Sequence, residues 1–301
     1  MHSRVFALLI AAAFAASAHA QQQPDFSKVE IKTTPLTTSL AMLEGLGGNI
    51  AVSTGEDGPL IVDDQFAPLA PKITAAVKAL QNAPIRFVIN THHHFDHTGG
   101  NEAFGGAGAL IFAHDNVRVR LSREQVSSLR AVFRLPPHPK PALPVVTFAD
   151  GVTLHWNGET IRVQHVAKAH TDGDAHIWFT HANVVHMGDT FVNGYFPLAD
   201  VESGGGIEGL IASANRVLAA ATPETRIIPG HGPLATPADL KKFRDMLVDV
   251  RARVEAGIAS GKTLEEFIAS KPLADLDAEW GDGFLKTDQV ITLYWMSLSA
   301  K

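Results

Sequence analysis

The chain has 301 residues, a formal net charge of −6 at pH 7 and no cysteine. A mildly acidic chain without a basic run is a poor candidate for nucleic-acid binding. The absence of cysteine excludes disulfides and thiolate metal ligands, so histidine, aspartate or glutamate must hold any metal.

The first twenty residues have the pattern of a secretory signal peptide. An apolar stretch runs from Val5 to Ala16, and Ala18-His19-Ala20 forms an A-x-A cleavage pattern. Such a stretch is too short for a membrane span, and no later apolar run reaches membrane length. We therefore expect cleavage after Ala20 and a periplasmic or secreted protein without a membrane span. Residues 21–301 are expected to form a single domain.

The first half of this domain has alternating strand and helix patterns. Apolar, β-branched runs between glycine-rich or polar segments predict strands at 39–44, 49–53, 60–62, 85–89 and 110–112. Apolar residues at helical spacing predict helices at 69–80 and 116–132.

The second half begins with hairpins and ends with helices. The turn Asn157-Gly158 predicts one hairpin, and a second is expected just after it. Thr236 with Pro237 predicts the start of a long helix. The remaining predicted strands and helices are strands 153–155, 160–166, 175–180, 183–186 and 226–228, and helices 207–221, 237–260, 263–270 and from 288. This order predicts two packed sheets with helices outside.

Residues 91–97 read Thr-His-His-His-Phe-Asp-His, directly after the strand at 85–89. Four histidines and a carboxylate at this density favour a metal site. Side chains alternate in an extended backbone, so His93 is expected to point away from His92 and His94.

Four other apolar runs end in a polar residue that is suited to the same site. These residues are Asp63, His170, Asp189 and His231. Polar residues that follow strands commonly converge on one site of a rigid scaffold. The sequence therefore predicts a single metal site assembled from distant segments.

The motif His92-x-His94-x-Asp96-His97, followed by His170, Asp189 and His231, resembles the metallo-β-lactamase superfamily of hydrolases. The resemblance covers about residues 49–231. It implies an α/β fold, the four-layer αββα sandwich, and a glyoxalase-II-like ligand set with a bridging aspartate.

By this resemblance, His92, His94 and His170 hold one Zn²⁺, and Asp96, His97 and His231 hold a second. Asp189 bridges the two ions, with iron or manganese possible at one site. A metal-bridging hydroxide would attack the substrate, with Asp96 and His231 as the catalytic groups. Asp63 is expected to orient a ligand by a hydrogen bond.

The substrate remains open at this point. The resemblance implies a small ester, thioester, lactone or lactam, and the residual positive charge of the metals favours an anionic molecule. The loop with Asn193, Tyr195 and Phe196 is a candidate pocket wall. One alternative is a β-lactamase proper, which export favours but Asp189 disfavours, because such enzymes typically have Cys or Ser there. Another is a zinc-binding accessory protein of a periplasmic oxidation pathway. The oligomeric state is left open.

Overall fold

The computed structural model describes residues 25–127 and 133–299, so the predicted signal peptide lies outside the described residues. The described strands are β1 (Lys32–Pro35), β2 (Leu40–Glu44), β3 (Ile50–Ser53), β4 (Leu60–Val62), β5 (Phe87–Ile89), β6 (Leu110–His114), β7 (Gln125–Ser127), β8 (Phe133–Leu135), β9 (Val146–Phe148), β10 (Gly151–Trp156), β11 (Glu159–Val166), β12 (Asp174–Phe179), β13 (Val184–His186) and β14 (Arg226–Ile228).

The described α-helices are α1 (Ala70–Leu80), α2 (Phe95–Thr98), α3 (Asn101–Gly106), α4 (Asp115–Leu121), α5 (Ile207–Ala220), α6 (Pro237–Ala259), α7 (Leu264–Ala269), α8 (Asp277–Trp280) and α9 (Thr287–Ser299). The longest, α6, starts as expected: Thr236 and Asp239 form a reciprocal capping box, with Pro237 at the first helical position. None of the helices in the described ranges is long and apolar enough to cross a bilayer.

Two large sheets form the centre of the fold. The first has the order β1-β2-β3-β4-β5-β6-β9, and the second has the order β10-β11-β12-β13-β14. The pairs β4–β5, β5–β6, β6–β9 and β13–β14 are parallel, and the other pairs in these sheets are antiparallel. A separate two-stranded ribbon joins β7 to β8.

Residues on one strand alternate between two apolar cores. In β4, Leu60 and Val62 face the core between the sheets, while Ile61 packs in the core that includes Ile73 of α1. In β14, Ile228 belongs to the core between the sheets, while Ile227 packs with α5, α6 and α9. Strands covered on both faces read as continuous apolar runs. The layers are therefore helix, sheet, sheet, helix, which confirms the predicted αββα sandwich.

The prediction for residues 116–132 was wrong. Helix α4 ends at Leu121, and β7 follows at Gln125–Ser127; residues 128–132 lie outside the described ranges. Val117 and Leu121 bury the apolar face of α4, but the next three residues are exposed. A further turn would thus have had no apolar side chain to bury.

Candidate metal centre

The predicted ligands lie at the ends of strands from both sheets. His92 and His94 follow β5, and Asp96 and His97 lie in the short helix α2. No helix was predicted at this position. His94 has extended backbone angles (φ −64°, ψ 147°) and α2 starts directly after it, which turns Asp96 and His97 toward the same space.

The second sheet supplies the other three residues. His170 lies between β11 and β12, Asp189 lies in a 3₁₀ turn (Gly188–Thr190) after β13, and His231 follows β14. The structure thus brings all seven predicted ligands to one edge of the sandwich.

His92, His94 and His170 form the first group of ligand atoms. One nitrogen from each lies within 4.8 Å of the other two, and His94 Nδ1 lies 2.8 Å from His170 Nε2. We call these three residues the first ligand group.

Asp96, His97 and His231 form the second ligand group. Their ligand atoms meet the same 4.8 Å limit. His231 Nε2 lies 3.3 Å from His97 Nε2 and 3.2 Å from Asp96 Oδ2.

Asp189 lies between the two groups. Its Oδ1 is 3.0 Å from His97 Nε2 and 3.5 Å from His231 Nε2. Its Oδ2 is 3.6 Å from His170 Nε2 and 4.0 Å from His92 Nε2. Each carboxylate oxygen therefore faces a different ligand group, which is the arrangement a bridging carboxylate requires.

The outer nitrogens of four histidines are engaged by hydrogen bonds. His97 Nδ1 donates to Asp63 Oδ2 (2.7 Å) and His94 Nε2 donates to Asp200 Oδ2 (2.9 Å). His170 Nδ1 donates to the carbonyl of Leu198 (2.7 Å). His92 Nδ1 lies 3.0 Å from Thr91 Oγ1, whose own hydroxyl donates to Asp63. These bonds fix the ring tautomers and leave the inner nitrogens as lone-pair donors for a metal.

The side chains fit metal ions. A tetrahedral Zn²⁺ with Zn–N bonds of 2.0–2.1 Å places its ligand atoms about 3.3 Å apart, close to the spacings above. His92 Nε2 is buried without a hydrogen-bond partner, and such a group calls for a bound ion or water. Neutral imidazoles with carboxylates are the donor set that zinc prefers in the absence of thiolates.

The site divides electrostatically into two halves. Burial lowers the pKa of His170 to about 4 and holds that of His92 well below its usual value. Burial also opposes a charge on His231, but Asp189 and Asp96 raise its pKa to about 9. Without metal, protons on His231 and on His97, whose pKa is also raised, balance the carboxylates. Cations would take over that role.

The backbone packs tightly against two of the candidate ligands, and a buried carboxylate fixes the loop of a third. A Cβ on Gly230 would lie 2.0 Å from Asp189 Oδ1, and one on Gly48 would lie 2.2 Å from the ring of His97. Asp174 Oδ2 accepts the backbone N–H groups of His170 and Thr171. The loop that carries His170 is therefore fixed at its base.

The residues predicted as pocket wall occupy different environments. Asn193 donates its side-chain amide to the carbonyl of Pro233. Tyr195 is partly buried and feels the charges of Asp189 and Asp96, and its pKa is raised, chiefly by burial. Phe196 is 2% exposed and packs in the core under the second sheet. Asn193 and Tyr195 are thus the members of this set that remain accessible.

Sequence reasoning missed Asp200 and left Asp174 without a role. Asp174 was visible as part of the segment after His170, but a buried acceptor of backbone donors has no signature of its own. Asp200 is 106 residues from His94 and lies in no metal motif. His93, expected to point away, is buried beside His94, and its Nε2 lies 3.5 Å from Ser203 Oγ.

The sequence profile of the metallo-β-lactamase superfamily matches residues 44–231. A hydroxyacylglutathione hydrolase of a Polaromonas species is 28% identical over 185 residues, which are 61% of this chain and 61% of that protein. The chain thus spans less than two thirds of the length of this curated relative.

Two solved structures share the fold. A metallo-β-lactamase from Pontibacter korlensis has a TM-score of 0.58 at 14% identity, covering 73% of this chain and 100% of that one. The sec-alkylsulfatase Pisa1 from a Pseudomonas species has a TM-score of 0.62 at 18% identity, covering 89% of this chain and 50% of that one. The profile match spans more than half of the 301 residues and agrees with the fold and the ligand order, so the chain belongs to the metallo-β-lactamase superfamily.

Proposed function

We propose that this protein is a metal-dependent hydrolase with two Zn²⁺ ions per chain, acting on a small ester, thioester, lactone or lactam. The observation that carries the proposal is the position of Asp189, with one carboxylate oxygen toward each ligand group. The superfamily match and the relative named as a hydroxyacylglutathione hydrolase support hydrolysis.

The proposed ligand roles follow the two groups. His92, His94 and His170 would hold one ion, and Asp96, His97 and His231 the other. Bound Zn²⁺ supplies water with a pKa near 7 and a Lewis acid that polarises a carbonyl.

The chain's own side chains would orient the reaction. Burial raises the pKa of Asp96, but His97 and His231 outweigh it and hold the pKa well below its usual value. Asp96 is therefore ionised at neutral pH and would orient the attacking water at its carboxylate. His231 lies 3.2 Å from that carboxylate and fixes its direction. Asp63 would keep His97 in the tautomer that presents Nε2 to the site.

The substrate is proposed to be small and anionic, bound near Asn193 and Tyr195. The net positive charge that two divalent ions leave after two carboxylates favours such a molecule. Tyr195 would offer its hydroxyl to the substrate; the charges of Asp189 and Asp96 contribute to its raised pKa, after burial.

A β-lactamase proper is the second candidate, because solved metallo-β-lactamases share the fold. The bridging carboxylate at position 189 argues for an ester or thioester first. An accessory protein that binds zinc without turnover is a weaker candidate, since no member of the expected ligand set is missing.

The test is a substrate panel on the zinc-loaded protein. It includes a glutathione thioester, an acyl-homoserine lactone, a cephalosporin and a phosphodiester, with a zinc-stripped sample as the control. We expect zinc-dependent hydrolysis of at least one carbonyl substrate. Two bound ions without any hydrolysis would favour the accessory role, and a chain that binds no zinc would contradict the proposal.

Export is also proposed, with cleavage after Ala20. N-terminal sequencing of the protein recovered from the periplasm or medium would test it. A mature protein that starts at Met1 would contradict it.

A further inference from the structure

Asp200 lies at the point where the two histidines from different sheets meet. Its Oδ2 accepts the Nε2–H of His94 (2.9 Å), and its backbone N–H donates to the carbonyl of His170 (2.8 Å). Two residues earlier, the carbonyl of Leu198 accepts the Nδ1–H of His170 (2.7 Å). One short segment, Leu198–Ser203, thus contacts both of these members of the first ligand group.

His94 differs from the other histidine ligands in the ring atom that it turns inward. His92, His97, His170 and His231 present Nε2, while His94 presents Nδ1. Nδ1 can bind a metal only when the proton of the neutral ring is on Nε2. An acceptor at Nε2 is therefore what this histidine needs, and Asp200 supplies it.

Both oxygens of Asp200 are committed to donors. Oδ2 accepts from His94, and Oδ1 accepts the backbone N–H of Ser203 (3.0 Å). An asparagine has one acceptor oxygen and one NH₂ donor. In Asp200→Asn the NH₂ group must face one of these two donors. The nearly isosteric change therefore removes either the acceptor of the His94 Nε2–H, which opposes the required tautomer, or the acceptor of the Ser203 N–H, which loosens the segment that carries the carboxylate.

We infer that Asp200 is a positioning residue that holds His94 in the tautomer and orientation needed by the first ligand group, and that it sets the metal affinity of this group alone. This inference rests on the two-metal function proposed above. It adds the residue that controls zinc binding by the first ligand group. Asp63 accepts the Nδ1–H of His97 in the second ligand group, and it also accepts the hydroxyl of Thr91, which contacts His92. Asp63→Asn is therefore the comparison variant, in which the second ligand group loses a direct partner and the first is affected only through Thr91.

The experiment measures the two stepwise zinc dissociation constants of the full chain by competition with a chromophoric chelator. It compares wild type, Asp200→Asn and Asp63→Asn. In Asp200→Asn we expect one constant to rise 10–100-fold, the usual effect of losing such a partner, with the other constant within about threefold of wild type.

Histidine ¹⁵N NMR of the singly loaded variants identifies the weakened half. We expect the remaining zinc of Asp200→Asn on His97 and His231, and that of Asp63→Asn on His94 and His170. Unchanged constants in Asp200→Asn or equal weakening of both sites would overturn the inference. Loss of zinc from His97 and His231, instead of from His94 and His170, would overturn it as well.

A second measurement needs no variant. The long-range ¹H–¹⁵N spectrum of the zinc-loaded wild type must show the proton of His94 on Nε2 and its metal bond at Nδ1. The opposite tautomer contradicts the inference even when Asp200→Asn does not fold. A wild type that binds no zinc would instead contradict the proposed function, which distinguishes the two failures.

Discussion

Asp189 is the residue that faces both ligand groups. Replacing it with alanine removes the carboxylate that faces His97 and His170. We predict that Asp189→Ala lowers turnover at least 100-fold and retains fewer metal ions. The fold should change little, because the side chain belongs to none of the apolar cores. Steady-state rates, metal analysis and circular dichroism test this, and wild-type activity in the variant would refute the bridging role.

A substitution at Gly230 tests whether the position of the Asp189 carboxylate matters, because the Gly230 backbone packs directly against it. A Cβ at this position would lie 2.0 Å from Asp189 Oδ1, so Gly230→Ala must displace that oxygen or shift the loop. We predict weaker binding of the second metal ion and at least tenfold lower turnover. Gly106→Ala is the control, because a Cβ there meets nothing within 4 Å. Equal metal content in the two variants would show that the close approach is unimportant.

His176 makes stability depend on pH. It is fully buried, and its Nε2 contacts Thr190 Oγ1 and Ser213 Oγ. Burial lowers its pKa to about 3, against 6.5 for the exposed residue. As the pH falls below 6.5, the unfolded chain takes up a proton that the folded chain excludes until about pH 3. This group therefore removes about 1.4 kcal/mol of stability per pH unit in that window.

The variant His176→Gln should remove this contribution. Urea unfolding of both proteins between pH 7 and pH 4 gives the difference in slope. We predict a flatter dependence in the variant, although it is less stable at pH 7. Parallel curves would contradict a contribution of His176 to the pH dependence.

At the scale of elements, helix α9 contacts the surroundings of the candidate metal centre from outside the matched region. The buried hydroxyl of Tyr294 donates to the carbonyl of Pro197 (2.8 Å), directly before the Leu198–Ser203 segment. Residues beyond the superfamily match thus hold the segment that contacts His94 and His170.

Tyr294→Phe isolates this contact. We predict a loss of about 1 kcal/mol in the free energy of unfolding, because the variant leaves a buried carbonyl without its donor. Thr292→Ala is the control, since its exposed hydroxyl only bonds the helix backbone. Urea unfolding that shows no difference between the two variants would contradict a supporting role for this contact.

Elements with a strong periodic pattern were predictable, and those set by tertiary contacts were not. β4 was predicted with its observed ends, because three apolar residues lie between turn segments. Helix α4 was predicted too long, because charged residues after Leu121 also fit a helix surface. The motif located the residues of the two ligand groups, whereas the contact of Asp200 with His94 forms only when a distant loop meets His94 in the folded chain.

At the scale of the whole molecule, zinc should stabilise the fold. The ligands come from both sheets, so an ion that binds only the folded chain links them. Zinc at 100 times its dissociation constant adds about 2.7 kcal/mol per site, which corresponds to a rise in Tm of roughly 5–10 °C for a chain of this size. Thermal unfolding with and without zinc tests this, and Asp189→Ala should show a smaller rise. An unchanged Tm in the wild type would contradict metal binding at this site.

The two-metal arrangement is the central claim, and anomalous diffraction at the zinc edge from crystals of the zinc-loaded protein tests it most directly. We predict two peaks per chain, one among His92, His94 and His170 and the other among Asp96, His97 and His231, with the Asp189 carboxylate between them. A single peak, or peaks away from these side chains, would contradict it.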